Sequence, residues 1–302
     1  MPEFFQTPPQ PKHTTQAHNP RKNPRKNHIM NRRKFLTVAG MSSLYPCLQA
    51  MAEPDKSHQY KIGITDWHIN AKGDPKAFQL ASEFGLDGIQ LSYIPNNKTN
   101  NLTEPEVREK FLAESVKHKV EIASMAMGIF NQRPFMTEPD AEKWVTQCLE
   151  FMPELKQKVV LMAFFGKGDM KDKPEMQKLA IERLKRLAPI AEKKGLTLGL
   201  ETWLGMEDHM RILDAVGSNA VKVFYDTANM DKMGYDILKE IRWLGKKKAI
   251  CQIHLKENGN RLGLGKVDFP KVKEALQDIN YKDWLIIESA GRLPSFALKA
   301  ST

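Results

Sequence analysis

Four stretches decide the fold: LTLGLE (196–201), VKVFYD (221–226), AICQIH (249–254) and WLIIE (284–288). Each is short and mostly apolar or β-branched at both odd and even positions. That is the pattern of a strand buried on both faces, as in a parallel sheet. Each closes on a side chain that can hold a cation, namely Glu201, Asp226, His254 and Glu288. The steps between those residues are 25, 28 and 34 positions, each about one strand-plus-helix repeat. Parallel strands that end in step deliver such side chains to one rim.

The same pattern extends upstream. Strands are expected at Lys61–Asp66, Gly88–Ser92, Val120–Met125 and Val159–Phe165, ahead of Thr197–Glu201, Val221–Asp226, Ala249–His254 and Trp284–Glu288. Helical periodicity lies between them at Pro75–Phe84, Pro105–His118, Asp140–Phe151, Pro174–Lys194, Glu207–Val216, Tyr235–Leu244 and Pro270–Asp278. Several of these begin with proline, and several stop at Gly85, Gly195 or Gly217, as helix ends favour. Eight such repeats in residues 53–302 suit the ~250 residues of an α/β, (β/α)8 TIM barrel. The last helix is expected to be short, near Ser295–Ala300, or missing. A doubly wound sheet is the rival fold, but neither GxGxxG nor a Walker sequence is present.

The net charge of +10 sits mostly at the N-terminus. Lys12, Arg21, Lys22, Arg25 and Lys26 against Glu3, then Arg32, Arg33 and Lys34, give the first 52 residues +7 of it. The remaining chain is close to balanced, which argues against a nucleic-acid surface on the folded domain. The lysine run Lys246–Lys248 reads as a solvated face. Residues 1–29 are rich in Pro, Asn, Lys and Gln, and read as a disordered or untranslated extension. From Met30 the chain runs MNRRKFLTVAGMSSLYPCLQAMA. Paired arginines, Phe-Leu, a modest apolar stretch and a small-x-small ending resemble a twin-arginine export signal over 30–52. That resemblance implies the export machinery as a partner, a mature start near Glu53 and a periplasmic location. A basic amphipathic helix is the alternative reading, and the Cys47 context is a poor lipoprotein box. No apolar run is long enough to anchor the chain across a membrane. Cys47, Cys148 and Cys251 match no zinc or redox spacing; they read as core thiols, with a disulfide left open.

A lone acid at a strand end is commonly a helix cap, and a lone histidine is commonly a hydrogen-bonded core residue. Four in succession at strand ends point instead to a metal centre of Glu201, Asp226, His254 and Glu288. Three carboxylates and one imidazole make a harder donor set than structural zinc prefers. The set suits Mn²⁺ or Mg²⁺ and admits Co²⁺ or Zn²⁺.

The series Glu–Asp–His–Glu on the last four strands resembles the xylose-isomerase-like barrel superfamily, the sugar phosphate isomerase/epimerase group. The neighbouring phrases agree: Gly199-Leu200-Glu201, Tyr225 to Asn229, His254-Leu255-Lys256-Glu257, Arg261 to Gly265 and Val267-Asp268-Phe269. The likeness spans about 60–290. It implies a divalent-metal sugar isomerase or epimerase in which Glu201 and Glu288 hold the metal and also act as acid and base. The metal polarises a carbonyl, one glutamate takes the neighbouring proton to leave an enediolate, and the other can return it. It also implies a small carbohydrate substrate, with a homodimer as the common assembly of relatives.

Two positions depart from the family. Asn229 stands where a histidine is frequent, and Arg261 falls about one residue out of step. Asn229 and Arg261 remain candidate sugar contacts. So do Lys256, which could hold an anionic group or the enediolate oxygen, and His68, after the first strand. Trp203 reads equally as a stacking platform or loop packing, and His209 as a cap or orienter of Glu201. Three rival functions share these residues. A lyase or hydrolase of 3-keto-glycosides, or an inosose dehydratase-like enzyme, starts with the same proton abstraction. A non-catalytic sugar-binding barrel would keep the metal site as a relic. An apurinic endonuclease would need more histidines than the five after residue 52.

Overall fold

The alternation of apolar runs and amphipathic stretches is realised as eight parallel strands closed into a barrel in chain order. The structure is a computed structural model that describes residues 60–288. The strands are β1 (Ile62–Thr65), β2 (Gly88–Ser92), β3 (Glu121–Met127), β4 (Val159–Ala163), β5 (Thr197–Glu201), β6 (Val221–Asp226), β7 (Ile250–Leu255) and β8 (Leu285–Ile287). Pairing of β1 with β8 closes the ring. The helices are α1 (Lys76–Glu83), α2 (Pro105–His118), α3 (Ala141–Phe151), α4 (Pro174–Lys193), α5 (Met206–Val216), α6 (Thr227–Lys232), α7 (Ile237–Lys246) and α8 (Phe269–Asp278).

Each predicted strand is found; β2, β5 and β6 have the expected bounds, and the others differ by at most two residues at an end. The expected helix over Tyr235–Leu244 is α7, and a short extra helix, α6, precedes it. The physical reason is Asp226: its Oδ1 accepts from Asn229 N at 2.8 Å and caps α6 directly off the strand. The expected last helix and the export signal lie outside the described residues. Among the described residues, no helix is long and apolar enough to cross a membrane. Cys148 and Cys251 are free and buried, as core thiols are.

The interior of the barrel is packed by Ala123, Ala126, Val159, Leu161, Ala163, Phe224, Cys251, Trp284 and Ile286. Large and small residues alternate across it. Trp284 on the β8 side reaches over to β2, where a Cβ on Gly88 would lie 2.5 Å from its ring. Gly63 similarly makes room for Ile286, 2.8 Å from where its Cβ would be. Trp67 and Phe165, each just beyond a strand's C-terminal end, cap this packing. The interior is therefore solid up to the C-terminal rim, and chemistry is confined to the rim.

Candidate metal centre

Glu201 ends β5 and Asp226 ends β6. His254 is one residue from the end of β7, and Glu288 follows β8. Parallel register places Asp226 beside His254. One ligand atom from each of the four residues can be chosen so that all lie within 4.8 Å of one another. His254 Nδ1 stands at the centre, 3.1 Å from Glu201 Oε1, 2.9 Å from Glu288 Oε2 and 3.7 Å from Asp226 Oδ2. The four residues predicted from strand ends are thus brought together.

Further hydrogen bonds hold the carboxylates. Asn229 Nδ2 donates to Glu201 Oε1 at 3.3 Å, and the Trp67 indole N–H donates to Glu288 Oε1 at 3.3 Å. On the other side of His254, Nε2 is 2.8 Å from Gln90 Oε1, whose amide nitrogen donates to Ser124 Oγ at 2.9 Å. Lys256 Nζ lies 3.1 Å from Glu288 Oε2 and 3.4 Å from Asp226 Oδ2. Thr227 Oγ1 steadies the chain after β7, donating to Lys256 O at 2.9 Å and accepting from Lys256 N at 3.0 Å.

Electrostatics follow from packing three acids into a dry rim. Burial raises the Glu201 carboxyl well above its usual range. Glu288 and Asp226 push the same way, and His254 opposes them. Burial would also raise Glu288, but His254 and then Lys256 hold it well below the ordinary carboxylate range. The His254 imidazole is held far above 6.5 by Glu201 and Glu288, against burial. Burial lowers His68, half-buried after β1, and Glu288 partly offsets it.

The donor set fits a divalent ion. Asp226 Oδ2 and Glu288 Oε2 are buried without an aligned hydrogen bond, although cations stand close to both. A buried carboxylate oxygen in that state is costly unless a cation satisfies it. Three carboxylates and one imidazole match Mn²⁺ or Mg²⁺ better than a thiolate-seeking ion.

The other predicted residues fall in different places. Asn229 and Lys256 join the centre, as above. His68 is 2.8 Å from Thr65 Oγ1 through Nδ1 and sits beside Trp67. The half-buried Trp203 ring packs 5.3 Å from Phe165, and Lys232 Nζ lies 5.3 Å from its centroid. His209 is buried under the β5–α5 connection and meets Thr202 Oγ1 at 3.0 Å, so it supports the residue after Glu201 rather than Glu201 itself. Arg261 is exposed on the long β7–α8 connection. Sequence reasoning missed Trp67, Gln90, Ser124 and Phe165. Gln90 did carry a signal, as a polar residue inside the otherwise apolar GIQLS strand.

Comparison with known proteins agrees with this fold. The sequence matches the Xylose isomerase-like TIM barrel family over residues 78–300. It is 25% identical over 202 residues to the 2-epi-5-epi-valiolone 7-phosphate 2-epimerase of Actinoplanes sp., covering 65% of this chain and 72% of that one. It is 29% identical over 254 residues to the D-psicose 3-epimerase of Enterocloster bolteae, covering 76% and 81% of the two chains. The solved D-psicose 3-epimerase of Clostridium cellulolyticum H10 with D-tagatose superposes with a TM-score of 0.66 at 19% identity, covering 80% of this chain and 89% of that one. A closed eight-strand barrel and a match over most of its length lead to one statement: this chain belongs to the xylose isomerase-like TIM barrel family.

Proposed function

We propose that this protein is a divalent-metal sugar isomerase or epimerase that moves a proton at a carbon next to a carbonyl. The observation that carries the reading is the convergence of Glu201, Asp226, His254 and Glu288 on one point at the barrel rim, with ligand atoms within 4.8 Å. These four residues would hold the ion, Mn²⁺ or Mg²⁺ by donor chemistry. When bound, it supplies a Lewis acid that polarises the substrate carbonyl and acidifies the neighbouring C–H. The likeness to named sugar epimerases supports the same class.

Glu201 and Glu288 carry the proton work. They approach His254 from different strands, at 3.1 and 2.9 Å, and so flank the point between them. Each is held on one oxygen by a neutral donor, Asn229 for Glu201 and Trp67 for Glu288, which fixes the carboxylate planes. One removes the proton and the other returns it. Return to the opposite face inverts the carbon, and return to the neighbouring carbon isomerises the sugar. Lys256, next to Glu288, donates to a substrate oxygen as charge builds on it. The substrate is a free sugar or keto-sugar. A twin-arginine signal would carry the folded chain out of the cytoplasm, where phosphorylated sugars are mostly kept.

The test is proton exchange. Residues 53–302 with Mn²⁺ are incubated in D₂O with free ketoses, keto-glycosides and inososes, and C–H signals are followed by NMR. Exchange beside a carbonyl, lost in Glu201→Gln, supports the reading. An inverted or isomerised sugar assigns the class, and a lost leaving group assigns elimination instead. A metal-loaded protein that exchanges nothing across the panel refutes it.

A further inference from the structure

We propose that Gln90 is a positioning residue that makes His254 a metal ligand through Nδ1 and sets the affinity of the centre. The inference rests on the proposed metal site, and the partners it adds lie on β2 and β3, which supply no candidate ligand. Gln90 is on β2, Ser124 on β3 and His254 on β7, and each is 0% exposed. The hydrogen-bonded row they form therefore crosses the barrel interior beyond the reach of water. Gln90 Oε1 is 2.8 Å from His254 Nε2, and Gln90 Nε2 is 2.9 Å from Ser124 Oγ.

The two ends of the Gln90 amide make opposite demands on the imidazole. An amide oxygen only accepts, so facing His254 it requires the proton on Nε2. An ion held by Glu201, Asp226 and Glu288 would then displace the proton on Nδ1 and leave the one on Nε2 in place. An amide NH₂ facing His254 would instead make Nε2 the acceptor and put a proton on Nδ1, in the ion's place. The Ser124 hydroxyl donates or accepts equally well and accommodates the first arrangement. A Phe224 ring 4.6 Å from the imidazole, near edge-on, limits its rotation. Gln90 therefore fixes tautomer, ring plane and ligand basicity together, as outer-sphere partners of ligating histidines do.

The test compares wild type with Gln90→Met, which fills similar space without an acceptor, and Gln90→Glu, which keeps one. Mn²⁺ affinity is read by EPR of the free ion, and folding by circular dichroism. Gln90→Met should remain folded and bind Mn²⁺ about 10–100-fold more weakly. Gln90→Glu should regain most of that loss, because its carboxylate still accepts from Nε2 and Ser124 can turn to donate. In the Zn²⁺-loaded wild type, ¹⁵N NMR of His254 should show a protonated Nε2 and a metal-bound Nδ1. Folded Gln90→Met with unchanged affinity, Gln90→Glu as weak as Gln90→Met, or a protonated Nδ1 in the loaded protein would each overturn the assignment. Wild type that binds no Mn²⁺ would overturn the metal centre itself, a different result from the other three.

Discussion

Acid should weaken this fold through His209, and the size of the effect can be worked from its surroundings. The ring is 1% exposed, under the connection that follows Glu201, and touches Thr202 Oγ1 at 3.0 Å. Burial pushes its pKa down from 6.5 to about 4. A folded pKa below the unfolded one means that the neutral ring's contribution is complete above pH 6.5 and is lost as pH falls through 4. The full separation of about 2.5 pH units corresponds to roughly 3 kcal/mol, of which roughly 2 kcal/mol is lost between pH 7 and pH 5. The assay is urea unfolding with a chelator present, at pH 7 and pH 5, for wild type and His209→Gln. The glutamine keeps a polar partner for Thr202 and does not titrate. Carboxylates elsewhere, and His254, contribute alike to both chains and cancel in the difference. The stability advantage of wild type should therefore shrink by roughly 2 kcal/mol on acidification. An advantage that stays constant to within about 0.5 kcal/mol would refute the reasoning, and would mean that the ring is hydrated or already charged at neutral pH.

His254→Ala should abolish Mn²⁺ binding. In a thermal scan, wild type at an Mn²⁺ level about 100 times its Kd gains about 2.7 kcal/mol, or some 5–10 °C in a domain of this size, and the variant gains nothing. Glu288→Gln keeps an oxygen donor and should retain measurable Mn²⁺ while losing about 10²–10⁴ in turnover; normal turnover of a metal-loaded variant removes Glu288 from the acid–base pair. Gly88→Ala puts a methyl 2.5 Å from the Trp284 ring and should cost about 1–3 kcal/mol by urea unfolding, with no loss of metal affinity. N-terminal sequencing of the protein recovered from the periplasm should begin near Glu53; an intact Met30 on a cytoplasmic protein refutes the export reading.

The barrel was legible because its strands are buried on both faces. Runs such as VVLMA in β4 leave no polar face to place, so length and spacing alone identify them. The metal candidates were legible for a related reason. A charged or imidazole side chain that closes an apolar strand has one place to go in a parallel barrel, the C-terminal rim. Helix α6 was not legible, because its cap is Asp226, a residue whose strand-end position already had a reading as a ligand. In the structure its two oxygens divide: Oδ1 accepts from Asn229 N, and Oδ2 faces the centre. Trp203 and Arg261 show where local sequence leaves a side chain's surroundings open. One ring is engaged by Phe165 and Lys232, and the other side chain lies exposed on a long connection.

By itself, then, the sequence determined the repeat, the strands to within two residues at their ends, and the identity of four side chains that meet at the rim, since periodicity and strand termination are local properties. Tertiary structure alone decided what surrounds them. Trp67 reaches Glu288 across 221 positions, and Gln90 reaches His254 across 164. No spacing rule links such pairs. They meet because closing β1 onto β8 makes a dry interior in which a buried polar group must find its partner on whichever strand stands opposite.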